Sequence, residues 1–95
     1  MRKIKIYGLT FVRTQRFAPE CYNILDEDGA GVAHVSLQAG LLTLRMQPPV
    51  ISSHFAYTWE VADLNVFHTE ERRDRWLTKA AEKFLEVRSK YGDKF

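Results

Sequence analysis

The chain has 95 residues, 45% of them hydrophobic and 13% aromatic, with a formal net charge of +2. That size supports one hydrophobic core but not two, and the composition excludes an intrinsically disordered chain. No apolar run approaches the ~20 residues of a membrane-spanning helix, and the lone cysteine, Cys21, excludes an internal disulfide and a thiolate zinc cluster.

The first stretch, MRKIKIYGLTFVRTQR, is charged and has no uninterrupted apolar core, so no secretory signal is expected and the chain reads as a cytoplasmic protein. The charges are laid out unevenly. Residues 1–19 carry five bases and no acid, 20–68 carry six acids against Arg45 alone, and 69–95 carry eight bases and six acids. A basic first segment permits an anionic partner at that end. With no repeat, low-complexity stretch or linker, residues 1–95 are expected to form a single domain.

In chain order, Ile4 and Ile6 alternate with Lys3 and Lys5, after which Tyr7, Leu9 and Phe11 take the opposite parity. A β-bulge at Gly8 would exchange the faces in this way. Residues 14–19 follow as a loop. The next stretch, CYNILDEDGAGVAHVSLQAGLLTLRMQ, holds two turn signals, Asp28-Gly29 and Ala39-Gly40. A two-residue turn at Ala39-Gly40 sets Leu37 opposite Leu42, Val35 opposite Leu44 and Ala33 opposite Met46. The other parity then pairs Ser36 with Thr43 and His34 with Arg45. A three-residue loop would oppose Val35 to Thr43 and Ala33 to Arg45, so the apolar pattern selects the two-residue turn. Ala-Gly is nevertheless not the favoured pair for such a turn. Folding at Asp28-Gly29 sets Tyr22 opposite Val35, Asn23 opposite His34 and Ile24 opposite Ala33. Two turns chosen independently assign the same faces, which predicts a meander over 21–26, 31–38 and 41–47.

Pro48-Pro49 ends the third of these strands, because proline lacks the ladder donor. Residues 54–61, HFAYTWEV, alternate again, with Phe55, Tyr57, Trp59 and Val61 on one side. Residues 64–67 form either a further short strand or an ordered connection. The last segment is a helix with Thr69 as N-cap, Glu70 and Glu71 in the first turn, and Gly92 as C-cap. Trp76, Leu77, Ala80, Ala81, Phe84, Val87 and Tyr91 recur at helical spacing, and Trp76 beside Ala80 and Ala81 suits close docking on a sheet. Glu71–Arg75 and Glu86–Lys90 stand at favourable (i, i+4) spacing on the outer face. The expected class is α+β, an antiparallel sheet of about five strands with one C-terminal helix packed on its apolar face.

The register also places Asn23, His34 and Arg45 in one row across three strands, on the face away from the helix. Ser36, Gln38, Thr43 and Gln47 surround the row. Amide, imidazole and guanidinium together can hold an anion, a phosphate or an acidic peptide; a solvated sheet face is the plainer reading. Cys21, Leu25, Val32 and Leu41 share this face, so part of it is expected to be covered. Arg13 and Arg16 add an accessory basic patch. Catalysis has little support. His34, His54 and His68 are scattered with no HExxH, and His68 with Glu71 fits capping and surface charge. Cys21, diagonal to His34, fits a buried strand cysteine better than a nucleophile beside its base. DEDGAG lacks the GK[ST] of a phosphate loop. No catalytic residue, cofactor or metal is expected.

Lys3, Lys5, Arg13 and Arg16 interleave with Tyr7, Phe11 and Phe17, supplying charges for phosphates and rings for bases. A three-stranded meander followed by a helix resembles the integrase N-terminal and plant transcription-factor types of DNA-binding domain; this covers 21–47 and the helix, and implies a sheet that reads the major groove. VFHTEERRDRWLTKAAEKF, residues 66–84, resembles the closing strand and helix of pleckstrin-homology domains, with Trp76 in the place of the tryptophan that packs into the barrel end. That resemblance implies a basic first hairpin, here Lys5, Arg13 and Arg16, gripping inositol phosphates. Residues 21–46 with the helix are also similar to small uncharacterised proteins of bacterial genomes and mobile elements, which implies no activity. The reading that results is a non-catalytic binding module, a small protein-interaction or inhibitor protein that uses Asn23, His34, Arg45, Arg13 and Arg16 on a protein partner. Nucleic-acid binding through the basic first segment is the first alternative, and a pleckstrin-homology-like head-group binder the second.

Overall fold

The computed structural model describes residues 3–14, 20–48, 50–51, 53–61 and 69–91. Strands β1 (Lys3–Ile6), β2 (Leu9–Arg13), β3 (Glu20–Leu25), β4 (Gly31–Gln38), β5 (Leu41–Met46) and β6 (Phe55–Glu60) precede helix α1 (Glu70–Tyr91). The strands form one antiparallel sheet in chain order, each paired with its neighbours in sequence. The fold is α+β with the helix last, as the pattern implies, but with six strands where about five were expected. Arg16, His68, residues 64–67 and the Gly92 cap lie outside the described residues.

The sixth strand comes from Gly8. Tyr7 and Gly8 both take left-handed backbone angles, with φ of 53° and 81°, and Ile6 pairs with Leu9 while Ile4 pairs with Phe11. This is a two-residue hairpin turn of the primed type, not a bulge within one strand. Either device shifts parity across a glycine, so the hydrophobic pattern is the same for both. Tyr7 conceals the turn, because a tyrosine rarely adopts positive φ.

The two turns of the meander reach the expected faces by different routes. Ala39 and Gly40 have φ of 54° and 77°, and Gln38 pairs with Leu41, which is the two-residue turn expected there. The turn at Asp28-Gly29 is wider than expected. Gly29 N–H donates to the Asp26 carbonyl at 3.0 Å, Asp26 N–H donates to Ala30 at 2.9 Å, and the Asp26 carboxylate accepts from the N–H groups of Asp28 and Ala30. Glu27, Asp28 and Gly29 thus make a three-residue loop with glycine in the left-handed position (φ 85°). That loop alone would slip the register by one residue. A shift between Ile24 and Leu25 restores it: Leu25 pairs with Gly31 and Ile24 with Ala33, leaving Val32 as the extra residue. Loop and bulge cancel, so Tyr22 meets Val35 and Asn23 meets His34 as the simpler turn required.

One face of the sheet carries the core. Leu9, Phe11, Tyr22, Ile24, Val35, Leu42, Leu44 and Met46 are buried against Leu77, Ala80, Ala81, Phe84 and Val87 of α1. The helix starts where Thr69 Oγ1 accepts the Arg72 N–H at 3.2 Å, the expected N-cap, and its first turn holds Glu70 and Glu71. The pairs Glu71–Arg75 and Glu86–Lys90 form at 3.6 and 3.3 Å. The expected stripe faces the sheet, with Leu77, Ala80, Ala81, Phe84 and Val87 buried and Trp76 at its edge. Leu77 and Phe84 are fully buried, whereas Trp76 is half-buried at the margin with the Lys79 ammonium 5.4 Å from its ring. Farther along, Lys83 lies 4.4 Å from the exposed Tyr57 ring, and Arg88 pairs with Glu27 at 3.3 Å, tying the helix to β6 and to the β3–β4 loop.

Candidate binding site

The opposite face of the sheet is built by the other parity of every strand. Its central row runs Lys3, Val12, Asn23, His34, Arg45 and Ala56, one residue from each of the six strands, set directly opposite one another. Residues so placed have Cβ atoms about 4.5–5.5 Å apart. The imidazole of His34 therefore stands between the Asn23 amide and the Arg45 guanidinium, as the register derived from the turns requires.

The row opens into a cleft of about 710 Å³. Asn23, His34, Arg45, Gln47, His54 and Ala56 line it from this face, and Ala33, Met46 and Phe55, whose side chains take the helix-facing parity, border it at the ends of β4, β5 and β6. The depression has a local cause. Arg45 faces only the methyl group of Ala56 on β6, where a larger side chain would fill the space beside the guanidinium. Phe55 pairs with Met46, so His54, one residue earlier, falls on the same side as Ala56 and Arg45.

Arg45 is exposed and makes no ion pair among the described residues. Partial burial, followed by the neighbouring Arg45 charge, holds the His34 imidazole below its ordinary value of 6.5. At neutral pH it is uncharged, with one ring nitrogen to donate and one to accept. Among the described residues no carboxylate lines the cleft. Among the described strand residues this whole face bears Lys3, Lys5 and Arg45 against a single acid, Glu60. Thr43 and Thr58 hydrogen-bond across β5 and β6 at 3.1 Å on the same face.

The accessory arginines are not part of this arrangement. Arg13 pairs with Tyr22 across β2 and β3, which puts it on the helix side, and its guanidinium meets Glu20 at 2.7 Å. The second Glu20 oxygen is buried and accepts no hydrogen bond among the described residues. Burial first, and Glu20 second, push the Tyr22 phenol above its ordinary value. Arg13 is therefore committed to a half-buried structural cluster, and Lys5 and Arg13 stand on opposite faces. Arg16 lies outside the described residues. Cys21 is buried opposite Ser36, diagonal to His34. Among the described residues no group of three His, Cys, Asp or Glu side chains comes together to hold a metal ion, and no helix is long and apolar enough to cross a membrane.

Sequence reasoning missed His54 and Ala56 as parts of the site. The eight-residue connection between β5 and β6 is no tight turn, so nothing local sets the register of the last strand. The available signal was the parity of Phe55 and Trp59, which places His54 and Ala56 on the other side. Comparisons with protein families, with curated proteins and with solved structures give no match.

Proposed function

We propose that this protein is a non-catalytic binding module that recognises another protein through the sheet face opposite the helix. An acidic group of the partner enters the cleft at Arg45. The observation that carries this reading is the row itself: a guanidinium in line with an imidazole and an amide, over an open cleft, with no acid beside it and no carboxylate in the lining among the described residues. Arg13 is already committed to Glu20, whereas the Arg45 guanidinium is exposed and open to an anion from outside the chain. Arg45 is matched by no anion among the described residues, and a partner carboxylate or phosphate completes it through charge-assisted hydrogen bonds.

The test is capture from the source cell with the intact chain and with Arg45→Ala, quantified side by side by mass spectrometry. The expected result is a protein retained by the first and lost from the second, with the thermal midpoints of the two chains alike. If stability falls while capture is unchanged, the row is structural and the reading fails.

A second reading, nucleic-acid binding, is favoured by the presence of Lys3 and Lys5 on the same face as Arg45, with Tyr7 exposed at the β1–β2 turn. It requires affinity for nucleic acid that falls steeply between roughly 50 and 200 mM salt. A salt-insensitive eluate free of absorbance at 260 nm eliminates it.

A further inference from the structure

We infer that the acidic group received by the cleft is a phosphate monoester whose carbon body shares the cleft. This rests on the binding role proposed for the same cleft and narrows it to one ligand chemistry. The cleft offers more hydrogen-bond donors than one carboxylate can use. Arg45 supplies a planar fork of N–H groups, Asn23 an amide, and His34 and His54 two imidazoles. A carboxylate brings one charge and two oxygens. A phosphate monoester brings nearly two charges at neutral pH and three acceptor oxygens, which spreads its contacts over groups on three adjacent elements.

The shape agrees with that assignment. A volume of about 710 Å³ exceeds what a bare inorganic anion fills. The small Ala56 side chain directly opposite Arg45 leaves room beside the guanidinium for the carbon body of a ligand whose head lies there.

Proton uptake follows from the same geometry. The groups facing His34 are Arg45 from β5, Asn23 and Cys21 from β3, and His54 from the segment ahead of β6. None is an acid, so the empty cleft disfavours the imidazolium. An entering dianion reverses the sign of the local field, and His34 gains a proton on binding.

The experiment titrates the full chain with phenyl phosphate and, in parallel, with benzoate, following His34 and the Arg45 side chain by NMR from pH 4.5 to 8. Phenyl phosphate is expected to shift both residues and to bind best near about pH 6, because its second proton, with a pKa of about 6, and the histidine proton oppose each other. Benzoate, already ionised well below that, gives no such loss on the acid side. Arg45→Ala and Ala56→Phe are each expected to weaken phenyl phosphate about tenfold or more, the first by removing a charge-assisted contact and the second by filling the cleft. Both positions are exposed, and thermal midpoints check that both variants fold.

Equal affinity for the two probes, or shifts that map away from His34 and Arg45, overturns the phosphate assignment. If in that case Ala56→Phe still abolishes partner capture, the binding surface stands and only its ligand chemistry is wrong. If neither variant affects phenyl phosphate or partner capture, both inferences fall together.

Discussion

His34 owes its behaviour to where it sits on the sheet. A half-buried imidazole beside a guanidinium prefers to be neutral, and the preference has a measurable consequence. Its proton affinity is lower in the folded chain than in the unfolded one, so between the two values the unfolded state binds more protons and stability rises with pH. The contribution is intact above the unfolded value of about 6.5 and is lost as pH falls through the folded value. His34→Asn is therefore expected to flatten the decline in thermal midpoint between neutral pH and the range below 6.5, measured by circular dichroism. Arg45→Gln, which removes the second cause and leaves the burial, is expected to raise the His34 titration midpoint in the NMR spectrum. If that midpoint does not rise, Arg45 and His34 do not share a field. The Asn23–His34–Arg45 row was legible in the sequence because two turns bracket it and a one-residue slip would have buried Arg45 and exposed Val35. His54 was not legible, since its position depends on a strand joined by a long connection.

At the scale of the elements, the turns account for most of what the pattern could and could not disclose. The alternation of Val35, Leu37, Leu42 and Leu44 leaves one workable register. Loop and bulge at Asp26–Gly31 yield the same faces as a simple turn, so the sequence hides the difference. Tyr7 and Ala39 hold positive φ without being glycine, asparagine or aspartate. A left-handed angle costs such a residue about 1–2 kcal/mol. Ala39→Asn is thus expected to raise stability by about 0.5–1 kcal/mol, read as a shift in the urea midpoint with an unchanged slope, and Tyr7→Asn to act in the same direction. A loss of stability in both would mean that these turns are not of the primed type. In α1 the argument runs through burial. Phe84 is fully enclosed, and Phe84→Ala is expected to cost about 3–5 kcal/mol, enough to unfold much of so small a protein. Trp76→Ala should cost clearly less, because the ring lies half in solvent beneath Lys79. Helical spacing alone ranks the two alike; only the axis on which the helix settles separates them.

Across the whole molecule, the fold sorts charge that the chain distributes by segment. Of the acids of the middle third, Asp26, Glu27 and Asp28 gather at the β3–β4 loop and Glu20 lies on the helix side, while Lys3, Lys5 and Arg45 share the other face with Glu60. An acidic partner approaching that face meets an attractive field well before contact. Lys3 and Arg45 occupy the same row four strand spacings apart, about 19 Å at the usual ~4.8 Å per strand. That is roughly twice the ~8 Å over which charges interact at physiological ionic strength. Lys3 can therefore guide encounter but cannot hold a group bound at Arg45. Replacing Lys3 and Lys5 by Glu is expected to slow association with the captured partner, most strongly at low salt, and to leave dissociation nearly unchanged. Arg45→Ala is expected to do the reverse, speeding dissociation through loss of the direct contact. Surface plasmon resonance at two ionic strengths separates the two rates. Should the lysine reversals accelerate dissociation as much as the Arg45 change does, the partner lies across the whole face and the cleft is only one part of a larger footprint.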